Sequence, residues 1–241
     1  MVINSLININ QYVIAAFLIF LVPVIMFPLI LLIGKFSETG KRISGILATT
    51  GIFISFILSW FIYSNGTFSF NPGDYYFNFE FPWFGNITWG VFVDPLAITM
   101  ALMVSGVSFL IHMFAIGYMG KDPNKHVYFA ETSLFTGGML GLVLSANLVM
   151  FFLFWELVGL CSYLLIGFWY FKPNAASAAK KAFIVTRVGD VLLILGLAVL
   201  YWMTFSSNDP LSIYNLNTQI PLIISRMHSN LDLAIAGALI L

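Results

Sequence analysis

In 241 residues this chain carries 8% charged side chains against 60% hydrophobic ones, and its ten Lys/Arg offset its ten Asp/Glu to a formal net charge of zero. With a mean hydropathy of +0.96, that balance excludes an ordinary soluble domain and any basic surface for nucleic acid, and it points to a lipid bilayer as the solvent. Apolar runs of about 20 residues, enough to cross the hydrocarbon core, recur along the chain. They predict helices over 12–33, 43–63, 92–118, 128–146, 148–170 and 181–204, with a seventh beginning near 232. The first run lacks the basic n-region of a cleaved signal peptide and reads as a true span. Its Pro23 and Pro28 are expected to kink it, which helix bundles tolerate.

The stretch 64–90 differs in character, with Asp74, Glu80, many aromatic residues and no Lys or Arg. Alternation in Phe77-Asn78-Phe79-Glu80-Phe81 and the turn signal Asn71-Pro72-Gly73-Asp74 predict a short hairpin whose rings anchor at the interface. Asn65-Gly66-Thr67 and Asn86-Ile87-Thr88 match the glycosylation triplet, a pattern too short to carry a site. In the fourth run, Gly137, Gly138 and Gly141 invite close approach by a neighbouring helix. The expected fold is therefore an all-α polytopic membrane protein of about six complete transmembrane helices and a truncated seventh, with a periplasmic hairpin-like loop. Its expected divisions are a two-helix segment with the aromatic loop at 1–90 and a helix bundle at 91–241.

Basic residues set the orientation. Lys35, Lys41, Arg42, Lys121, Lys125, Lys172, Lys180, Lys181 and Arg187 all fall on one side of the predicted spans, and Arg226 alone on the other. By the positive-inside rule the N-terminus is outside. Cys161, the single cysteine, lies within a span and has no partner for an internal disulfide. Nucleotide loops, CxxC pairs, His-rich metal spacings and nucleophile elbows are missing from the sequence.

The polar residues inside the spans carry the functional signal. Glu156 lies eight residues into its predicted helix, roughly 12 Å deep at 1.5 Å per residue. An ionised, unpaired carboxylate there costs several kcal/mol, so such residues usually handle ions or protons. Arg187 and Asp190 are three apart on the sixth helix and can pair. Lys180 lies seven before Arg187 on nearly the same face, making a ladder of charge that descends from the basic surface. Lys181 reads as a topological anchor, and Asn174 as the N-cap of this helix. Glu131 and His112, near the basic ends of their helices, are candidate proton relays.

Three segments carry a resemblance: Phe154-Trp155-Glu156, then Gly159-Leu160-Cys161-Ser162-Tyr163-Leu164-Leu165-Ile166-Gly167-Phe168-Trp169-Tyr170, then Lys181-Ala182-Phe183-Ile184-Val185-Thr186-Arg187-Val188-Gly189-Asp190. Together with Val93-Asp94-Pro95-Leu96, they resemble chain L of respiratory complex I, the antiporter-like subunit of NADH-quinone oxidoreductase called subunit 5 in mitochondria. The resemblance implies a proton-translocating role centred on Glu156, with Arg187, Asp190 and Lys180 in the charged network around it. It implies NADH, FMN, iron–sulfur clusters and quinone bound by other subunits, no cofactor or metal in this chain, and the other membrane subunits and the bilayer as partners. The expected location is the bacterial inner membrane rather than the mitochondrial one. The family's next essential residue is a lysine in a broken seventh helix; this sequence ends at Leu241, before one, so the resemblance implies an N-terminal fragment or one piece of a split subunit. The rival readings are the large subunit of a multisubunit sodium/proton antiporter, a hydrogenase membrane arm, or a non-catalytic scaffold.

Overall fold

The computed structural model describes residues 2–65, 77–84, 87–204 and 211–213. Six helices and one hairpin account for nearly all of them: α1 (Val2–Phe36), α2 (Glu38–Asn65), β1 (Phe77–Phe84), β2 (Ile87–Val93), α3 (Pro95–Tyr118), α4 (Lys125–Val143), α5 (Leu148–Ile166) and α6 (Pro173–Thr204). The expected seventh helix, the turn at Asn71-Pro72-Gly73-Asp74 and Arg226 lie outside the described residues.

Five of the helices are long and apolar enough to cross a membrane. The sixth, α4, has 19 residues and falls outside that group for a physical reason. It sits in the middle of the bundle, packed by α1, α2, α3 and α5, and buries Glu131, Ser133, Thr136 and three glycines among its apolar residues. A helix shielded from lipid by its neighbours has no need of a uniformly apolar surface. The bundle closes on it through small residues. A Cβ on Gly137 would lie 2.7 Å from Val24 Cγ2 and 3.0 Å from the Val24 backbone nitrogen, so α1 and α4 meet backbone to side chain there. A Cβ on Gly138 would meet Val158 Cγ2 at 3.1 Å, and one on Gly141 would enter the Phe154 ring, which brings α5 against the opposite side of α4. On α2 the same device appears as a stripe, Gly40, Ser44, Ala48, Gly51, Ser55, Ser59 and Ile62, all buried. The helix α1 continues through Pro23 and Pro28 without interruption.

One end of the bundle collects the basic connections. Trp169 Nε1 donates to Asp122 Oδ2 at 3.2 Å, the Lys172 ammonium lies 4.4 Å from the Trp169 ring centroid, and the Lys125 ammonium donates to the Gly120 carbonyl at 3.3 Å. The hairpin closes the other end. Its strands pair antiparallel with an irregularity between Pro82 and Phe84, and Phe79 and Phe81 pack on Phe17 of α1. The connection from α4 to α5 extends this sheet: Phe92 donates to the Leu144 carbonyl, Ala146 donates to that of Gly90, and Leu148 donates to that of Leu211. Glu80 gathers the assembly, accepting from Asn78, Thr88 and Ser212.

Most helix boundaries differ from the sequence reading, α1 and α6 starting earlier at Val2 and Pro173 and α4 spanning Lys125–Val143, and three of the differences have a local cause. The span expected from residue 92 starts at Pro95, because β2 runs through Val93; Asp94 caps the helix, its carboxylate accepting from the Ala97 N–H at 2.6 Å with Pro95 at the first helical position. The fifth helix stops at Ile166 rather than 170, with Gly167 at its C-cap. Asn174 is not a cap. The helix α6 starts at Pro173, and the Ala176 N–H already donates to the Lys172 carbonyl, since proline's fixed φ suits a helix start and takes that position.

Candidate functional site

The site forms on the seam between α5 and α6. Asn147 starts α5 by accepting from the Met150 N–H at 2.8 Å, and the helix then presents Trp155 and Glu156 two turns in. On α6, Lys180, Phe183, Arg187 and Asp190 fall at intervals of three and four, along one stripe of the helix. The two helices run antiparallel, so deeper residues of one meet deeper residues of the other. Gly167 faces Ala179, Tyr163 faces Phe183, and Glu156 faces Arg187.

At the deepest of these levels one guanidinium serves two carboxylates. Arg187 Nη1 is paired with Glu156 Oε2, and the same nitrogen lies 3.5 Å from Asp190 Oδ2. Asp190 Oδ1 accepts from the Trp155 indole N–H at 2.9 Å. The Arg187 guanidinium also lies 4.6 Å from the Phe183 ring centroid, and Phe183 packs on Tyr163 at 5.1 Å. The Asp190 side chain is 11% exposed and those of Glu156 and Arg187 about a quarter. Two carboxylates and one guanidinium leave one negative charge over if both acids are ionised. In a membrane that excess is costly, so the cluster is an arrangement that can take up a proton.

The other sequence-chosen residues fall in two further places. Lys180 is exposed, two turns along α6 from Arg187, and lines a cavity of about 660 Å³ together with Glu131, Tyr163 and Asn124. Glu131 is buried, and its Oε2 has no hydrogen-bond partner among the described residues. His112 is buried between α3 and α4; its Nδ1 lies 2.8 Å from the Ser108 carbonyl. Ser108 Oγ lies 2.6 Å from Thr136 Oγ1, and Thr136 in turn donates to the Thr132 carbonyl. With Nδ1 donating, His112 Nε2 is left as an acceptor, and it too is buried without a partner. Glu131 and His112 therefore sit near the basic ends of their helices as expected, but with side chains turned into the bundle rather than lying at an interface. Among the described residues, no group of three or more His, Cys, Asp or Glu side chains is arranged to hold a metal.

Sequence reasoning missed Trp155 as a hydrogen-bond donor and Ser108 and Thr136 as partners of His112. The signal for Trp155 was its place next to Glu156. It could be used only with the register of α6 against α5.

Residues 145–241 match the family described as NADH:quinone oxidoreductase/Mrp antiporter, TM, and residues 83–129 match NADH-Ubiquinone oxidoreductase (complex I), chain 5 N-terminus. The chain is 49% identical over 185 residues to F(420)H(2) dehydrogenase subunit L of Methanosarcina mazei, covering 77% of this chain and 27% of that protein. It is 44% identical over 174 residues to the chloroplastic NAD(P)H-quinone oxidoreductase subunit 5 of Chara vulgaris, covering 70% and 26%. With the corresponding protein of Angiopteris evecta it shares 40% over 215 residues, covering 86% and 26%. The chain thus spans about a quarter of the length of these relatives. Its fold is that of a chain in the membrane-bound sulfane sulfur reductase, an archaeal respiratory membrane complex, with a TM-score of 0.74 at 18% identity, covering 93% of this chain and 43% of that one. The capped start of α3, the Trp155-Glu156 pair and the Arg187–Asp190 pair fall within the matched regions, and the chain belongs to the family of membrane subunits that includes complex I chain 5 and its antiporter relatives.

Proposed function

We propose that this chain forms part of the proton-translocating membrane subunit of an NADH-quinone oxidoreductase. Other subunits carry electrons from NADH through FMN and iron–sulfur clusters to quinone, and this chain supplies a proton-binding site in the membrane. The observation that carries the reading is the guanidinium of Arg187 held between Glu156 and Asp190 on two membrane helices. While Arg187 is paired to Glu156, that carboxylate remains deprotonated. A rearrangement that takes the guanidinium to Asp190 alone leaves Glu156 to accept a proton. The return displaces the proton, and a change in access between the two steps gives direction. The relatives aligned to the same region are named for F(420)H(2) in one case and NAD(P)H in others, which supports assigning the electron donor to other subunits.

The membrane is read as a bacterial inner membrane; the gathering of the basic connections at one end of the bundle supports only the orientation, with the N-terminus outside. A second reading, the large subunit of a sodium/proton antiporter, draws on the description shared by the family matched over residues 145–241. Affinity purification from mildly solubilised native membranes separates the two. Recovery with flavin and iron–sulfur subunits is the expected result; recovery with small antiporter subunits alone contradicts the oxidoreductase reading.

A further inference from the structure

The start of α5 and a segment that follows α6 in the chain are tied together at the hairpin end of the bundle. The Leu148 N–H donates to the Leu211 carbonyl at 3.1 Å and the Ile213 N–H donates to that of Ala146 at 3.0 Å, with Asn147 and Ser212 paired between them. Leu211 and Ser212 are buried. Leu211 has a φ of +71°, a left-handed conformation that L side chains rarely adopt and that persists only where the surroundings impose it. Because α5 and α6 run antiparallel, this tie closes the seam between them at one end. The short connection from Gly167 to Pro173 closes it at the other, and Glu156 meets Arg187 between the two closures.

Glu80 is the centre of the tie. Its Oε1 accepts from Ser212 Oγ at 3.4 Å and from Asn78 Nδ2 at 2.8 Å, and its Oε2 accepts from Thr88 Oγ1. Thr88 passes the contact on to α5: its carbonyl accepts from Asn147 Nδ2, while Asn147 Oδ1 caps the helix at the Met150 N–H. One carboxylate thus reaches the segment after α6 through Ser212 and the start of α5 through Thr88 and Asn147. The strand pair leaves room for it, since Glu80 lies opposite Gly90, where a Cβ would stand 2.8 Å from Glu80 Cγ. Hydrogen bonds to an ionised acceptor are about twice as strong as neutral ones, so a carboxylate fastens these strands more firmly than an amide would. From Asn147 to Glu156 is roughly 13 Å of helix, and a helix of that length carries a displacement of its capped end to the charged cluster.

We infer that Glu80 is a positioning residue for the charged cluster: by tying residues 211–213 to the capped start of α5, it holds the α5–α6 seam closed so that Glu156 meets Arg187. Glu80 acts through Thr88, Asn147 and Ser212 and does not itself touch the proton. This inference rests on the proton-translocating reading above and adds to it a residue, outside the seam, that sets the geometry of the site.

The test uses the full-length subunit in its native complex, in sealed membrane vesicles carrying equal amounts of assembled complex. Glu80→Gln replaces one acceptor oxygen by a donor, and Thr88→Val removes the hydroxyl while keeping the carbonyl that Asn147 uses. Each is expected to lower the number of protons moved per electron pair. Each is also expected to move the pH of half-maximal translocation upward by at least about one unit, since Glu156 parted from an opposite charge keeps its proton to higher pH. The double variant should shift the profile no further than either single one, because both break one link. Thr88→Ser keeps the hydroxyl and is expected to restore the original profile. Variants that assemble in smaller amount, but keep the ratio and the pH profile per assembled complex, would make Glu80 a stabilising residue only and overturn the inference. Glu156→Gln is measured in parallel. If it lowers the ratio while Glu80→Gln and Thr88→Val leave ratio and profile unchanged, the positioning role is wrong and the wider reading stands. If Glu156→Gln also translocates normally, the wider reading itself fails.

Discussion

At the scale of single residues, the site is a contest between the cost of charge in a membrane and the geometry that offsets it. Arg187 is shared by Glu156 and Asp190, and Asp190 is steadied from its other side by the Trp155 indole. A hydrogen bond to a charged acceptor contributes about 1.5–3 kcal/mol. Trp155→Phe keeps an aromatic ring, though a smaller one, and removes that donor, so we expect the subunit to assemble normally while proton translocation slows roughly tenfold or more. Rates measured on membranes with equal amounts of assembled complex check this. The Arg187–Asp190 pair was legible in the sequence, because a spacing of three on a helix is a local fact. The Glu156–Arg187 pair was not, since residues 31 positions apart meet only through the register of two helices. Lys180 shows both sides of this. Its stripe was correctly placed on the face of Arg187, but that stripe descends along a wall, and Lys180 opens onto a cavity instead of joining the cluster.

At the scale of elements, close approach is made by small residues where the backbone must pass. The three glycines of α4 were legible as packing positions, and Gly137 against Val24, Gly138 against Val158 and Gly141 against Phe154 bear that out. Gly137→Val puts a branched side chain where a Cβ alone lies 3.0 Å from the Val24 backbone nitrogen. Overpacking of this kind costs about 1–3 kcal/mol, so the variant should melt at lower temperature and reach the membrane in reduced amount. An unchanged melting midpoint would mean that α1 and α4 are less tightly fitted than described. Two features escaped the sequence reading. The helix α4 was expected as a span, but its central place was not, because shielding by neighbouring helices leaves no local mark in the sequence. The strand pairing of 145–147 with β2 and with 211–213 is non-local and leaves no periodicity. Asn147, which caps α5 and reaches the Thr88 carbonyl, links that pairing to the helix bearing Glu156. Asn147→Ala is expected to cost about 1 kcal/mol in helix capping alone, and the loss of the Thr88 contact should make the measured destabilisation larger. A midpoint shift no greater than that of an exposed-cap variant would contradict the second contact.

For the molecule as a whole, orientation is read from the basic residues. The basic connections form one end and the hairpin the other, and Glu156 lies between them. A cysteine replacing Lys121 should be labelled only by an impermeant reagent on the side that the positive-inside rule makes inner; labelling only from outside would invert the assigned orientation. Composition and spacing were enough for the membrane class, the spans and the polar residues worth testing, because each rests on local chemistry. The cavity was beyond reach, because it is made by three helices at once.

The most direct test of the central claim is the number of protons moved per electron pair by the intact complex, measured with Glu156→Gln and Glu156→Asp in its native membrane. The account predicts a lower ratio for the glutamine variant, because an amide cannot bind and release the proton, and partial recovery with aspartate. A glutamine variant that assembles normally and moves as many protons as the unaltered complex would contradict it.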